Sequence, residues 1–235
     1  IKGTSISEGL GKMKLLEYKC IFDYWNEDNL KILKEDGQKG WVHKEDLPFL
    51  TAKLDEQNEA KNKNKKIVKL SFQFGDRIPS PWDGNLKKAK IVICYANPAS
   101  DENDKDHEGI MRKQLSGNAP LPTEIDSWKK WYEDKKFERL CEIKDSTDIS
   151  VFNLCPYASK DMSDDVNWRV ASGLPSFWMA QKHLREELIP NAIDNKIFLV
   201  IARAHRYWGV PYEGLDYLDK ENPFKEKKLR IQTNR

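Results

Sequence analysis

Three continuous apolar runs lie in the second half of the chain, at residues 90–96, 148–154 and 196–202. They consist largely of β-branched, aliphatic and aromatic residues without polar alternation, which is typical of strands that are covered on both faces. A shorter run at residues 228–232 predicts a fourth strand. The pattern therefore predicts a parallel sheet within residues 90–235.

Helical spacing of apolar residues is found between these strands. One stretch, residues 124–143, carries them at Ile125, Trp128, Trp131, Tyr132 and Leu140, and another, residues 174–188, carries them at Phe177, Trp178, Leu184 and Leu188. Pro175 near a helix start and Pro190 near its end fit the second stretch. Strands that alternate with helices form right-handed crossovers, so we predict a three-layer α/β/α sandwich around a four-stranded parallel sheet.

A polar stretch divides the chain into two parts. Residues 53–66 are rich in Lys, Asn and Glu and contain almost no large apolar side chain, which predicts a solvated helix or a linker. It separates a first segment, residues 1–52, from a main domain, residues 67–235. Strand-like runs at residues 18–25, 30–33 and 40–43 make the first segment β-rich. Their order loosely resembles an SH3-like barrel, and the alternative is a small β appendage that packs on the main domain.

Charge and cysteine content narrow the class of protein. Lys plus Arg is 40 and Asp plus Glu is 38, so any nucleic-acid contact depends on a local basic patch rather than on bulk charge. The cysteines, Cys20, Cys94, Cys141 and Cys155, form no CxxC pair, which favours reduced thiols in a cytoplasmic protein over a zinc site or a disulfide framework. With neither a membrane-spanning run nor a signal peptide, we expect no membrane partner. We also expect no metal and no cofactor.

The candidate chemistry lies where the predicted strands end, because open α/β sheets bind ligands at the carboxyl ends of their strands. This rule selects the loops that begin at Asn97, Asn153 and Arg203. The sequence contains no glycine-rich phosphate loop and no Gly-x-Ser-x-Gly turn. Kinase, nucleotide-dependent dehydrogenase and serine-hydrolase functions therefore have no support in the sequence.

Two of these loops resemble motifs of the uracil-DNA glycosylase superfamily. An apolar strand followed by Asn97-Pro98-Ala99-Ser100 is similar to its first motif, most of all in the mismatch-specific thymine/uracil branch. Val151-Phe152-Asn153 is similar to the superfamily strand that ends in a base-reading asparagine. The segment at residues 79–85 is similar to one found in uncharacterised members. The resemblance covers about residues 75–235 and implies the strand order 2-1-3-4.

The resemblance also implies site residues. Cleaving the N-glycosidic bond of a flipped nucleotide requires a positioned water, a base pocket and stabilisation of the leaving anion. By resemblance, Asn97 orients the water, Ala99 leaves room for a 5-methyl group, and Asn153 reads a pyrimidine edge with both a donor and an acceptor. The remaining implied roles are base stacking by Tyr95, Phe152 or Tyr157, anion stabilisation by His205, and phosphate binding by Arg203 and Arg206.

Structural roles for the same residues stay open. Asn97 before a proline is a common turn starter, and Asn153 before a loop satisfies backbone groups in many proteins. Tyr95 and Phe152 lie within strands, where core packing is a sufficient role. His205 fits a solvated helix start. The acidic loop around His107 suits solvent better than a metal ion.

Three functions therefore remain open: a base-excision N-glycosylase, a protein that binds a nucleobase or nucleic acid without cleavage, and a protein-interaction module that uses the first segment around Trp41. The superfamily's second catalytic motif, of the His-Pro-Ser or Asn-Pro-Ser type, follows its last strand. This sequence ends at Thr233-Asn-Arg235, so it is truncated before that motif or lacks it. That difference favours binding over cleavage, while Asn97 and Asn153 together favour either of these over an interaction module.

Overall fold

A computed structural model of the chain describes residues 18–35, 38–63, 70–75, 77–98, 107–133, 146–159, 162, 165–202, 205–210, 215–218 and 226–229. The protein is mixed α/β. The strands are β1 Leu30–Glu35, β2 Gln38–His43, β3 Trp82–Gly84, β4 Ile91–Tyr95, β5 Ile149–Asn153, β6 Phe198–Ile201, β7 Leu215–Leu218 and β8 Glu226–Leu229. The α-helices are α1 Ile21–Tyr24, α2 Leu47–Asn62, α3 Glu108–Gln114, α4 Asp126–Tyr132, α5 Asp165–Gly173, α6 Pro175–His183 and α7 Ile189–Ile193. A π-helical turn, Leu184–Leu188, joins α6 to α7.

The main sheet has the order β3-β5-β4-β6. Strands β5 and β6 both pair parallel with β4, and this places Tyr95 opposite Asn153. These are the three strands predicted from the continuous apolar runs. Strand β3 pairs antiparallel with β5 and forms one edge of the sheet, so the sheet is mixed.

The predicted order 2-1-3-4 of four parallel strands is not confirmed. The described part of the predicted fourth strand, residues 228–229, belongs to β8, which pairs antiparallel with β7 in a separate hairpin. Strand β8 reads Glu-Lys-Lys-Leu, and a strand so charged is poorly suited to a sheet that is covered on both faces. The fourth strand of the sheet is instead β3, which is too short to show a period in the sequence.

Strand β3 is held at the sheet edge by helix α3. Trp82 Nε1 donates to the carbonyl oxygen of Gln114 at 2.6 Å, and the Gly84 backbone N–H donates to Gln114 Oε1 at 2.7 Å. Gly84 has φ of 91°, and a Cβ there would lie 2.4 Å from the Ile149 carbonyl oxygen. Only glycine therefore fits this approach of β3 to β5.

Alternation along the strands produces two apolar clusters, one on each face of the sheet. The larger contains Val92, Cys94, Phe152, Leu199 and Ile201, together with residues of α1, α2 and α6. The smaller contains Ile91, Ile93, Ile149, Val151, Val200, Ala202 and Leu121, with aromatic residues of α4 packed against it.

The predicted helix at 174–188 is confirmed, whereas that at 124–143 is described only as α4 and its continuation lies outside the described residues. Among the described residues, none of the helices is long and apolar enough to cross a membrane.

The first segment packs on the main domain. Its residues Tyr24, Leu33 and Val42 belong to the same apolar cluster as the sheet residues Val92 and Phe152. The strands in the described residues 18–35 and 38–52 are β1 and β2, which form one hairpin and are fewer than the strands of an SH3-like barrel. Residues 53–62 of the stretch predicted as a helix or a linker belong to α2, so the helix interpretation is confirmed for them.

One predicted strand in the first segment is wrong. Within residues 18–25 the chain forms helix α1, in which Ile21 and Tyr24 lie on one side and are 1% and 0% exposed. A spacing of three residues places both side chains on the same helical face. Burial of that face against the main domain selects the helix, although aromatic and β-branched residues locally favour a strand.

A buried carboxyl group connects the first segment to two distant parts of the main domain. Asp46 is fully buried; its Oδ2 accepts from Tyr157 Oη at 2.7 Å and its Oδ1 accepts from the Ser176 backbone N–H at 3.0 Å. Ser176 is the second residue of α6, where the backbone N–H has no acceptor within the helix and the helix dipole favours a carboxylate. Burial raises the pKa of Asp46 to about 6, against the opposing effect of these hydrogen bonds.

His43, with a neutral imidazole, adds a further hydrogen bond between the first segment and the main domain. Its Nδ1 accepts from the Glu45 backbone N–H at 3.1 Å, so Nε2 carries the proton and donates to the Tyr24 carbonyl oxygen at 2.8 Å. Burial lowers the pKa of His43 to about 3. The backbone N–H of His43 donates to Tyr157 Oη at 3.2 Å, and its ring stacks on Tyr24 with centroids 3.7 Å apart. The hairpin end is thus fixed to the main domain through Tyr157.

We predict that Asp46→Ala lowers the free energy of unfolding by about 2–4 kcal/mol near pH 7, because the Tyr157 hydroxyl and the Ser176 N–H lose their buried acceptor. Urea denaturation measures the change. The matched control is Asp55→Ala on the exposed face of α2, which should change the value by less than about 0.5 kcal/mol. Equal effects of the two substitutions would contradict the role of Asp46.

The pH dependence gives a separate prediction. Because the pKa of Asp46 is raised from 3.8 to about 6, the folded state binds this proton more tightly than the unfolded state. The stability that Asp46 contributes is therefore largest below about pH 4, falls as the pH rises through about 6, and is constant above that. We expect the difference in unfolding free energy between the wild type and Asp46→Asn to fall over this window. A difference in unfolding free energy that increases with pH would contradict the raised pKa of Asp46.

Candidate functional site

A cavity of about 750 Å³ opens at the carboxyl ends of β4 and β5. Its walls come from the β1–β2 hairpin, residues 73–74 and 77–80, helices α3 and α4, and the loop after β5. Aromatic side chains supply much of the lining in the described part of the chain: Trp41, Phe74, Tyr95, Trp128, Trp131 and Tyr157. We call this the carboxyl-end cavity.

Asn153, the last residue of β5, is a buried polar group in this lining and is 3% exposed. Its Nδ2 donates to the Ser80 carbonyl oxygen at 2.9 Å. Because a carbonyl oxygen only accepts, this contact fixes which end of the amide is nitrogen. Within the described residues, the buried Oδ1 of Asn153 has no hydrogen-bond partner. The structure thus orients Asn153 with one acceptor left unsatisfied.

Asn97 lies just beyond β4 and also lines the cavity, so the two predicted asparagines are brought together as expected. Its Nδ2 contacts the carbonyl oxygens of Pro98 and Ser159 at 2.8 and 3.2 Å and Ser159 Oγ at 3.0 Å. These contacts join the loop after β4 to the loop after β5. Asn97 therefore stabilises the turn, and its amide nitrogen is committed to the protein.

Asp83 is a cavity residue that the sequence analysis missed. It is fully buried on β3 opposite Val151, which places it on the same sheet face as Asn153. Its Oδ2 accepts from the Ser80 hydroxyl, so Ser80 contacts both Asp83 and Asn153. The available signal was a single acidic residue between Trp82 and Gly84, but its pairing with β5 is not visible in the sequence.

The residues predicted to stack on a base lie in different places in the structure. Tyr95 is half-buried, lines the cavity and packs edge-to-face on Trp131 with centroids 6.4 Å apart. Tyr157 lines the cavity while its hydroxyl is bound to Asp46. Phe152 is 0% exposed in the cluster on the opposite face, 5.4 Å from the Trp208 ring, so its predicted role in base stacking is wrong. Successive strand residues point to opposite faces, so Asn153 and Phe152 cannot share a site.

The predicted basic residues do not join the cavity in the described part of the chain. His205 and Arg206 lie in a turn outside its lining, where the Arg206 guanidinium covers the Tyr207 ring at 4.5 Å. Ala99 and Arg203 lie outside the described residues. Arg77 and Glu108, which the sequence did not single out, supply charged side chains to the walls.

Metal and thiol chemistry find no support at this site. Among the described residues, no group of three or more His, Cys, Asp and Glu side chains could hold a metal ion. Cys94 and Cys155 are buried and free, and burial raises the pKa of both thiols. Such thiols are protonated and unreactive. Within the described residues, the polar groups that line the cavity are amides, carboxyls, hydroxyls and the Arg77 guanidinium, beside aromatic rings.

No family model matches the chain, and no curated protein and no solved structure is detectably similar to it. The likeness to uracil-DNA glycosylases rests on the quoted sequence motifs. The support for a function lies in the geometry of the carboxyl-end cavity.

The β1–β2 hairpin packs closely against the neighbouring backbone at Gly40. A Cβ at this position would lie 2.2 Å from the Phe74 carbonyl oxygen, beside the bridge between Gly40 and Gly75. We predict that Gly40→Ala lowers the free energy of unfolding by about 1–3 kcal/mol, because backbone atoms must move. The control, Gly109→Ala in α3, meets no atom within 4 Å and should change it by less than about 1 kcal/mol. A neutral Gly40→Ala in chemical denaturation would contradict the packing.

Proposed function

We propose that the carboxyl-end cavity binds a nucleobase, as the base pocket of a uracil-DNA glycosylase-like protein does. The observation that carries the proposal is the Asn153 amide, which ends in a buried acceptor that no group in the described residues satisfies. Leaving such an atom unpaired costs about 1–3 kcal/mol, so its retention in an aromatic cavity is typical of a site completed by a ligand.

The size and lining of the cavity support a planar heterocyclic ligand. Its volume of about 750 Å³ lies within the range of small-molecule sites, and exceeds what a single base occupies. Stacking of a base on an aromatic side chain contributes about 1–3 kcal/mol. Tyr95, Trp128 and Trp131 line the same cavity as the polar groups of the sheet and are the aromatic side chains proposed for stacking.

For catalysis, the proposal assigns the water-positioning role to Asn97. Its nitrogen is held by Pro98 and Ser159, so its oxygen is the end that accepts a hydrogen bond from water. In hydrolysis the water oxygen bonds to C1′ as the C1′–N bond breaks, and the departing base takes up the remaining proton. Uracil or a related base, flipped out of a nucleic acid, is the proposed substrate.

The wider setting of the proposal follows from the sequence. It treats the main domain as a three-layer α/β/α sandwich, which is supported by the separate apolar clusters on the two sheet faces. Free buried thiols at Cys94 and Cys155 are consistent with a cytoplasmic protein.

Binding without cleavage is the second candidate. The observation in its favour is that His205, the predicted anion-stabilising residue, lies outside the cavity lining. An interaction module built on the first segment is less well supported, because Trp41 lines the cavity and is covered by the Arg112 guanidinium at 4.5 Å.

Two asparagine substitutions test the proposal. Asn97→Ala should reduce base release from single-stranded or mismatched oligonucleotides about 100-fold or more, because a water-orienting group acts mainly in the transition state. Asn153→Ala should instead weaken ligand affinity about tenfold or more. Abasic-site formation and calorimetric binding are measured on uracil and a panel of other bases, with Asn118→Ala, at an exposed position outside the cavity, as the matched control.

Thermal unfolding of each variant separates loss of fold from loss of function. Binding that depends on Asn153 but yields no abasic product would select the second candidate. No binding and no product from the folded wild type would contradict both.

A further inference from the structure

A row of aromatic rings lies where helices α5 and α6 meet the turn after β6. The Trp168 ring packs against the rings of Tyr207 and Phe177, with centroids 4.5 and 5.4 Å apart. Phe177 is buried and contacts Trp178, with centroids 5.6 Å apart. Trp178 is 47% exposed, and Gln181 on the same side of α6 donates from Nε2 to the Tyr207 carbonyl oxygen at 3.2 Å. The row thus leaves a large aromatic side chain accessible beside this turn.

Two guanidinium groups flank these rings. The Arg206 guanidinium covers the Tyr207 ring at 4.5 Å and donates to its hydroxyl. Arg185, in the π-helical turn after α6, donates to a backbone carbonyl of the turn after β6 at 3.4 Å. Both arginines are exposed, and within the described residues neither forms an ion pair with a carboxylate. The neighbouring Glu186 pairs with Lys182 at 3.9 Å, which offsets its negative charge.

These side chains form one surface next to the carboxyl-end cavity. We call it the aromatic-basic surface, and it consists of Trp168, Trp178, Tyr207, Arg185 and Arg206.

The aromatic-basic surface is joined to the cavity at two places. Trp208, in the turn after β6, donates from Nε1 to the carbonyl oxygen of Tyr95, a cavity residue, at 3.2 Å. Asn167, which precedes Trp168 in α5, accepts from the Ser71 backbone N–H at 3.0 Å, two residues before the cavity residue Gln73. The surface therefore meets the cavity at the carboxyl edge of the sheet.

An exposed ring beside guanidinium groups is a combination that suits single-stranded nucleic acid. Unpaired bases stack on aromatic side chains whatever their sequence, and guanidinium groups contact the phosphates between them. Bases in a duplex are already paired and stacked, so they cannot use the Trp178 ring in this way. Because the whole chain carries a formal net charge of only +2, phosphate contacts depend on local groups such as Arg185 and Arg206.

We infer that the aromatic-basic surface binds single-stranded nucleic acid, and that it holds the nucleotides that flank the base in the carboxyl-end cavity. Trp178 stacks on an unpaired base, and Arg185 and Arg206 contact phosphates. This inference rests on the proposed function, because the strand on the surface is the one that carries the base in the cavity.

Fluorescence anisotropy on the full chain tests the inference with labelled oligo(dU) and oligo(rU) of about 12 nucleotides. Calorimetry measures uridine in parallel. We expect Trp178→Ala and Arg206→Ala each to weaken binding of the single strand about fivefold or more, while the affinity for uridine changes by less than about twofold. Arg206→Ala should also lower the slope of log affinity against log salt concentration by about 1, which a purely structural role would not do.

Matched controls lie elsewhere on the protein. Phe198→Ala removes a ring that is also 47% exposed, at the first residue of β6, and Lys88→Ala removes an exposed cation before β4. Both positions lie toward the amino end of the sheet, so neither substitution should change oligonucleotide binding. Trp178→Phe, which keeps a ring, should retain most of the affinity, and thermal unfolding checks that each variant is folded.

Stronger binding of either the DNA or the RNA strand supports the inference and identifies the sugar. Oligonucleotide binding that is unchanged in folded Trp178→Ala and Arg206→Ala would overturn it. So would a duplex of oligo(dU) with oligo(dA) that binds as tightly as the single strand. In both of these cases, binding of uridine that depends on Asn153 would leave the proposed function intact. Absence of binding for uridine and for both single strands would contradict the proposed function, and this inference with it.

Discussion

The hydrogen bonds of the buried Asp46 carboxyl are the interaction on which the packing of the first segment against the main domain depends. It accepts hydrogen bonds from Tyr157 and Ser176, which lie 111 and 130 positions further along the sequence. Burying a carboxyl is unfavourable, as its raised pKa shows, and the hydrogen bonds offset that cost. Because the donors come from the loop after β5 and the start of α6, the contact is satisfied only when hairpin, loop and helix meet in one arrangement.

The shape of the cavity follows from that arrangement. Tyr157 binds Asp46 through its hydroxyl and lines the cavity with the rest of its side chain. The same hairpin places Trp41 in the cavity lining and Gly40 close to the Phe74 backbone. The first segment is therefore a wall of the site, and a change that loosens it would alter the space available to a ligand.

The cavity asparagines combine a structural and a chemical role in one side chain. Their nitrogens bind backbone carbonyls and hold the loops after β4 and β5, which is the plainer role that the sequence left open. The same bonds set the direction of the oxygens. Local hydrogen bonding thus fixes which end of each amide binds the protein.

The sequence by itself determined the elements whose signal is local. Continuous apolar runs gave β4, β5 and β6, helical spacing gave α6, and the rule for strand ends selected Asn97 and Asn153. It did not determine which strand completes the sheet, that residues 21–24 form a helix, or that Asp83 and Trp41 reach the cavity. Those features depend on pairing and burial between residues far apart in the chain. Periodicity reports which face of an element is buried, whereas only the tertiary structure decides what that face is buried against.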